Sequence, residues 1–181
     1  QVGAMLKALA ATNKEIILLT PTLPSPTTQK IIASFTSVYP NIKTVVYDTI
    51  SSDAALNAFQ SHYGKRALAD YDFSKAKTIV SIGADFLGDW QGGGFDAAYA
   101  KGRVPQNGSM SRHIQFESNM TLSGANADKR VPLKPSQQKR ALARLYGKLT
   151  GTSVNVTLPA GIESAVDAAA REVLKAGSNA V

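Results

Sequence analysis

Short apolar runs alternate with helical patterns along the whole chain. Runs of strand length, rich in β-branched or aromatic residues, occupy residues 15–20, 43–47, 78–82 and 112–117. Apolar positions with helical spacing, or helix-capping residues, predict helices over residues 2–11, 26–38, 53–63, 95–100, 137–149 and 162–173. The pattern therefore indicates four strands interleaved with six helices.

Local sequence signals set several of these boundaries. Ser25 followed by Pro26 is typical of an N-cap with proline in the first helical turn. Gly64 predicts the end of the third helix, because glycine adopts the left-handed conformation that ends many helices. Ser136 is the predicted cap of the helix that ends at Leu149.

The alternation predicts an α/β fold. Strands that are apolar without a polar face favour a mostly parallel sheet covered by helices on both faces, in the doubly wound, Rossmann-like arrangement. We expect one such domain over residues 1–181. Ligands of these sheets bind beyond the carboxyl ends of the strands, so the candidate loops follow Thr20, Tyr47, Ile82 and Glu117.

Composition narrows the possible chemistry. The 181 residues are 44% hydrophobic, enough for one good core, and include no cysteine. Iron-sulfur clusters, thiolate zinc sites and cysteine nucleophiles are thereby excluded from this segment. Its apolar runs fall far short of the roughly 20 residues that span a bilayer. The start at Gln1 and the end just after a long helix predict a piece of a larger polypeptide.

The charge of +7 raises the question of an acidic partner or nucleic acid. Its densest part is the helix at 137–149, with Lys139 beside a row of Arg140, Arg144 and Lys148 spaced four residues apart. A solvated helix face is the commoner cause of such a row. No aromatic residues interleave with these charges as single-strand binding requires, so we expect no nucleic-acid partner.

The stretch KTIVSIGADFLGDW, residues 77–90, ends a strand in a glycine-containing loop. Gly83 and Gly88 match neither the dinucleotide fingerprint nor a P-loop, since Asp89 and Trp90 stand where a P-loop needs Lys and Ser or Thr. Asp85 and Asp89 form a pair of nearby carboxylates, but no third ligand adjoins them. Turn and capping roles are therefore favoured over acid-base catalysis or cation binding.

Other candidate groups carry weaker signals. The glycines at 92–94 could present N–H groups to an anion or form a surface loop. His62 and His113 lack metal-binding spacing, and Ser81 lacks the surroundings of a hydrolase nucleophile. Sequons begin at Asn107, Asn119 and Asn155, and matter only in a eukaryotic secretory pathway.

Two segments resemble a known family. YDFSKAKTIVSIGADFLGDW, residues 71–90, and SMSRHIQFESNMTLSGANADKRVPLKPS, residues 109–136, closely resemble the molybdopterin-oxidoreductase-like part of the large iron-sulfur subunit of alternative complex III. That bacterial respiratory assembly oxidises quinol and passes electrons to cytochrome c or a terminal oxidase. The resemblance covers the middle third well, and most of the remaining chain by the order of its elements.

The order of elements also resembles, more distantly, the molybdenum bis-guanine-dinucleotide enzymes. In these, loops ending in Gly-(Ser/Ala)-Asn-Pro, Asp-Pro-Arg, Ala-Asp and Pro-Gly-Thr-Asp line the pterin guanine. The segments that correspond here are residues 83–86, 116–118, 127–128 and 135–138. The resemblance thus implies a vestigial cofactor pocket that would include Gly83, Ala84, Asp85, Glu117, Asp128, Pro135 and Ser136.

Departures from these motifs predict that the pocket has been lost. Asp85 cannot donate hydrogen bonds as an amide does and would repel a pyrophosphate. The last turn lacks its glycine, and Gln138 replaces an acidic residue that could accept two donors from guanine. We expect the side chain of Phe86 or Trp90 to fill the crevice, with no molybdopterin bound and no catalytic residue in this segment.

The resemblance implies a scaffold domain whose redox centres, iron-sulfur clusters in a ferredoxin-like part, lie elsewhere in the subunit. It implies export by the twin-arginine route to the periplasmic face, and attachment to membrane subunits without a span of its own. Two alternatives stay open, namely an active molybdopterin enzyme completed by other parts of the chain, and a separate domain that binds a nucleotide or small anion.

Overall fold

The computed structural model describes residues 1–12, 14–23, 25–105 and 108–181, so that the sequon residue Asn107 lies outside the described residues. Its contacts divide the chain into two compact units, Gln1–Arg66 and Ala67–Val181. Both units combine helices with a parallel sheet, which confirms the α/β class. The prediction of one domain over residues 1–181 stays a prediction, and each unit is described by itself.

The first unit has two strands and three helices. Its elements are α1 (Val2–Ala10), β1 (Ile16–Thr20), α2 (Pro26–Val38), β2 (Ile42–Val46) and α3 (Asp53–Tyr63). The two strands pair in parallel, from Ile16 opposite Ile42 to Thr20 opposite Val46. Ser25 caps α2 by accepting a hydrogen bond from the Thr28 N–H, and Gly64 ends α3 at a φ of 72°. Both caps were predicted.

The second unit contains a three-stranded sheet. Its elements are β3 (Thr78–Ile82), α4 (Asp96–Arg103), β4 (Arg112–Glu117), α5 (Leu122–Ala125), β5 (Lys129–Pro132), α6 (Pro135–Thr150) and α7 (Ala160–Ala176). All pairs are parallel in the order β3-β4-β5. The sequence pattern did not predict α5 or β5, because α5 has only four residues and β5 reads KRVP, two charges and a proline in a four-residue strand.

Side chains on the two faces of this sheet form two cores. Ile114 and Phe116 of β4 pack with α6 and α7, in a cluster that includes Leu145 and Val166. The opposite face carries Ile79, in a largely aromatic cluster with helix α4. Because alternate residues of a strand point to opposite faces, His113, Gln115 and Glu117 of β4 share the second face. The predicted placement of helices on both sides is confirmed for this unit.

The predicted cap of α6 was wrong. The cap position belongs to Lys134, whose N–H donates to the side chain of Gln137 at 2.8 Å, so that Ser136 lies inside the first turn.

The basic row is exposed at Lys139, Arg140 and Lys148, as a solvated face would be, but Arg144 is partly buried. Arg144 donates two hydrogen bonds to Asp167 of α7, at 2.8 and 3.0 Å, because the two helices pack together.

No helix in the described ranges combines the length and apolar character that crossing a membrane requires.

Candidate functional site

The loop after β3 begins with a glycine in a left-handed conformation. Gly83 has a φ of 71°, and its N–H donates to the carbonyl of Phe116 at 2.8 Å, extending the ladder between β3 and β4. A Cβ atom at this position would lie 2.9 Å from Oε1 of Gln138. The side chain of Gln138 therefore occupies the space beside Gly83. A ligand would need that space to approach the backbone of Gly83.

The next two residues bind other parts of the protein. The carbonyl of Ala84 accepts hydrogen bonds from Ser81 Oγ at 3.0 Å and from Gln115 Nε2 at 3.1 Å. The Asp85 carboxylate accepts the N–H of Ser123 at 2.8 Å, and Ser123 Oγ accepts the N–H of Leu87 at 2.9 Å. The loop is thereby fastened to the first turn of α5.

These donors fix the charge of Asp85. Burial raises the pKa of its carboxyl, but hydrogen bonds from Ser123, Thr121 and the Leu122 N–H outweigh burial and hold the pKa below its ordinary value. The carboxylate is therefore ionised at neutral pH and used by α5. This agrees with the capping role predicted from the sequence, and leaves a negative charge where a pyrophosphate would bind.

Glu117 lies at the carboxyl end of β4 and is fully buried. Its carboxylate accepts hydrogen bonds from Thr121 Oγ1 at 2.6 Å and from Arg130 Nε at 2.5 Å. Burial alone would raise the pKa of Glu117, but these two partners more than offset it and lower the pKa. A Cβ atom at Gly124 would lie 1.8 Å from Glu117 Oε1. The carboxylate can occupy this position only because residue 124 has no side chain.

The first turn of α6 completes this edge of the sheet. Gln138 donates through Nε2 to Ser118 Oγ at 3.0 Å, linking α6 to the end of β4. Pro135 and Ser136 are the first two residues of α6, and Pro135 has no N–H to offer an anion. The structure thus brings Gly83 and Gln138 together, with Glu117 and the start of α6 at the same edge.

Asp128 lies at the opposite edge. It precedes β5, and its carboxylate accepts the N–H of His113 at 2.7 Å and two bonds from Arg103, both at 2.8 Å. The hydrogen bonds from Arg103 are the main reason that the pKa of Asp128 is lowered. Asp128 therefore does not share the carboxyl-terminal edge with the other six predicted pocket residues.

Sequence reasoning missed a buried polar chain centred on His113. The His113 ring lies 3.1 Å from the Tyr99 hydroxyl through Nδ1 and 3.1 Å from Gln115 Oε1 through Nε2. Burial lowers the pKa of His113. The available signal was the polar alternation in RHIQFE, within a strand otherwise typical of a core. His62 lies in the other unit, exposed in the last turn of α3.

Aromatic side chains cover the loop after β3. Phe86 is 2% exposed and stacks on Phe73 with ring centroids 4.5 Å apart. Trp90 is half-buried and lies 5.8 Å from both Tyr71 and Phe95. Phe86 therefore packs inward, and the expectation that Phe86 or Trp90 fills the crevice stays a prediction. An apolar cavity of about 250 Å³ remains beside this cluster, next to Ile82 and Ala84.

Two of the three glycines at 92–94 have their N–H groups bonded within the loop. The N–H of Gly92 donates to the Asp89 carbonyl at 3.1 Å, and that of Gly93 donates to the Trp90 carbonyl at 3.1 Å. Helix α4 begins only at Asp96, whose carboxylate in the first turn would repel an anion. The run instead provides three consecutive residues of positive φ, which glycine adopts without strain.

These contacts do not fit a pterin guanine dinucleotide. The N–H groups of Gly83, Leu87 and Ser123 are bonded within the protein, and two carboxylates stand at the same edge. Within the described ranges, no group of three or more His, Asp or Glu side chains is placed to hold a metal ion. No model of a known protein family matches the chain, and no curated protein matches its sequence.

Proposed function

We propose that this chain is a scaffold domain of a respiratory oxidoreductase subunit, similar to the molybdopterin-oxidoreductase-like part of alternative complex III. It holds neighbouring subunits in place at the periplasmic face of the membrane and has no catalytic residue of its own. Electrons pass through iron-sulfur clusters in other parts of the same subunit. The proposal rests on the resemblance of residues 71–90 and 109–136.

One structural observation carries the scaffold role. Ligands of parallel sheets bind at the carboxyl-terminal edge of the strands. At this edge of β3 and β4, the carboxylates of Asp85 and Glu117 accept hydrogen bonds from other residues of the protein. The Asp85 carboxylate serves α5, and the Glu117 carboxylate is shared between Thr121 and Arg130. A site built for catalysis keeps such groups accessible to substrate, whereas these stabilise the fold.

Analysis of the full-length protein from membranes tests this function. A tagged chain, purified with mild detergent from its native host, is expected to retain partner subunits and iron but less than about one tenth of an equivalent of molybdenum or pterin. Metal content is measured by mass spectrometry and pterin by fluorescence after oxidation. Stoichiometric molybdenum and pterin would contradict the proposal and favour an active molybdoenzyme.

A matched pair of variants tests whether partner binding depends on the intact fold of this domain. Gly124→Ala places a methyl group against Glu117, while Gly161→Ala in α7 meets no atom within 4 Å. We expect Gly124→Ala to reduce the yield of co-purified partner subunits and Gly161→Ala to leave it unchanged. Purification of the unaltered protein alone, without partners but with a bound nucleotide, would instead favour the separate binding domain.

A further inference from the structure

A basic cavity lies at the opposite edge of the second unit from the loop after β3. It has a volume of about 690 Å³ and is lined by four lysines, Lys75, Lys77, Lys101 and Lys175. Lys75 and Lys77 precede β3, Lys101 lies in α4 and Lys175 in the last turn of α7. Residues distant in sequence thus converge on one depression.

The positive charge of this cavity is largely uncompensated. Lys75 forms an ion pair with Asp72 at 3.0 Å, but Lys77, Lys101 and Lys175 form none among the described residues. Two nearby carboxylates are taken by arginines, since Asp128 binds Arg103 and Glu172 binds Arg112. No described lining residue is acidic. Like charges brought together in this way attract an anion.

A buried hydroxyl supplies a second, independent observation. Ser111 lines the cavity and is 6% exposed, and its Oγ has no hydrogen-bond partner among the described residues. Buried hydroxyls normally have one, because leaving a donor unsatisfied costs free energy. A Cβ atom at Gly102, another lining residue, would lie 3.2 Å from this Oγ. The hydroxyl is therefore enclosed at the wall of the cavity, and a side chain at position 102 would press against it.

We propose that this cavity binds a phosphate-bearing anion. Lysine binds phosphate as a point charge, and several lysines with a hydroxyl suit an anion of multiple charge better than a single carboxylate. Among the described residues that line the cavity none is aromatic and able to stack on a nucleobase, so the phosphate is the recognised group. Two sources share this chemistry, a dissolved oligophosphate and a phospholipid headgroup, and the site is independent of the scaffold role.

Two binding assays on the full chain distinguish the sources. Pyrophosphate is titrated calorimetrically at about 20 mM salt, where screening between exposed charges is weak. Co-sedimentation is measured with vesicles of phosphatidylcholine containing 30% phosphatidylglycerol, and with phosphatidylcholine alone. Binding of pyrophosphate only identifies a dissolved ligand, and binding of the anionic vesicles only identifies a headgroup. If the protein binds neither pyrophosphate nor the anionic vesicles, the proposal is overturned.

A charge-matched pair of triple variants locates the site. Lys77→Gln/Lys101→Gln/Lys175→Gln is expected to weaken the observed binding at least tenfold. The control, Lys65→Gln/Lys129→Gln/Lys139→Gln, removes three exposed lysines without ion pairs among the described residues and should change it less than threefold. Equal losses in both would show attraction to net charge only and overturn the proposal.

A third variant keeps every charge. Ser111→Ala removes the unpartnered hydroxyl and is expected to weaken binding about threefold to tenfold, with an unfolding midpoint no lower than that of the unaltered protein. Circular dichroism of all variants confirms that the fold is retained. Unchanged affinity in Ser111→Ala together with unchanged affinity in the cavity triple would place binding elsewhere and overturn the proposal.

Discussion

The Asp85 carboxylate accepts the backbone N–H of Ser123 at 2.8 Å, joining the loop after β3 to α5 across 38 residues of sequence. Helix α5 has only four residues, and its own cap, Thr121, accepts the N–H of Gly124 at 3.1 Å. The Ser123 N–H lies in the first turn of α5, where the helix offers it no acceptor, and Asp85 supplies that acceptor. A residue that the family resemblance places in a cofactor loop has a structural partner here.

Removal of the Asp85 carboxylate should destabilise the fold. Asp85→Ala leaves the Ser123 N–H without its acceptor, and we expect a loss of about 1–2 kcal/mol in the free energy of unfolding. Asp85→Asn keeps one acceptor oxygen and should cost less. Urea unfolding followed by circular dichroism measures both. Equal stability of Asp85→Ala and the unaltered protein would show that this hydrogen bond contributes nothing.

The contact between Gly124 and Glu117 predicts a large effect from a single methyl group. Gly124→Ala would set a Cβ atom 1.8 Å from a carboxylate oxygen held by Thr121 and Arg130. We expect a loss of about 3 kcal/mol or more, because overpacking forces buried groups from their places. Gly161→Ala is the control and should be neutral or stabilise by up to about 1 kcal/mol. Thermal and urea unfolding measure both, and similar stabilities would contradict this packing.

The buried His113 predicts a pH dependence of stability. Burial lowers the pKa of His113. The polar and charged groups around it are Tyr99, Gln115, Glu117 and the Arg103–Asp128 pair. The unfolded chain therefore binds a proton at higher pH than the folded protein does. The free energy of unfolding should therefore decrease as pH falls below about 6.5, by at most about 1.4 kcal/mol per unit for one proton, until His113 itself is protonated in the folded state.

Urea titrations between pH 7.5 and 5.0 measure this slope. His113→Gln is expected to remove it, while His62→Gln, which changes an exposed histidine of the first unit, should retain it. The same slope in His113→Gln as in the unaltered protein would assign the pH dependence to other groups. Asp128 does not interfere, since hydrogen bonds from Arg103 lower its pKa from an ordinary value already below this range.

The ion pair between α6 and α7 should contribute measurably to stability. Arg144 and Asp167 are 22% and 24% exposed in their side chains, and the guanidinium donates two hydrogen bonds. A double-mutant cycle with Arg144→Gln and Asp167→Asn should give a coupling of about 1 kcal/mol, because the pair is partly shielded from water. Arg140→Gln, an exposed neighbour, should cost less than about 0.5 kcal/mol. Zero coupling would make the contact incidental.

Several elements could be predicted because their signals are local. β3 and β4 have the predicted bounds, since runs such as TIVSI are short, apolar and β-branched. Ser25 and Gly64 act as predicted because a cap needs only the nearest turn. β5 was missed because the charges and proline of KRVP oppose a strand assignment. Its pairing with β4 from Ile114 to Glu117 outweighs that local preference.

The sequence by itself determined the α/β class, the parallel strands and the main helices, because periodicity and caps act over a few residues. Only the tertiary structure decided where the charged groups go. It brings Asp85 to Ser123 and Glu117 to Arg130, separates Asp128 from the other predicted pocket residues, turns Arg144 toward Asp167 and gathers four lysines around one cavity. These arrangements depend on residues that are not neighbours in the chain. A local sequence pattern extends over a few residues only and therefore does not predict them.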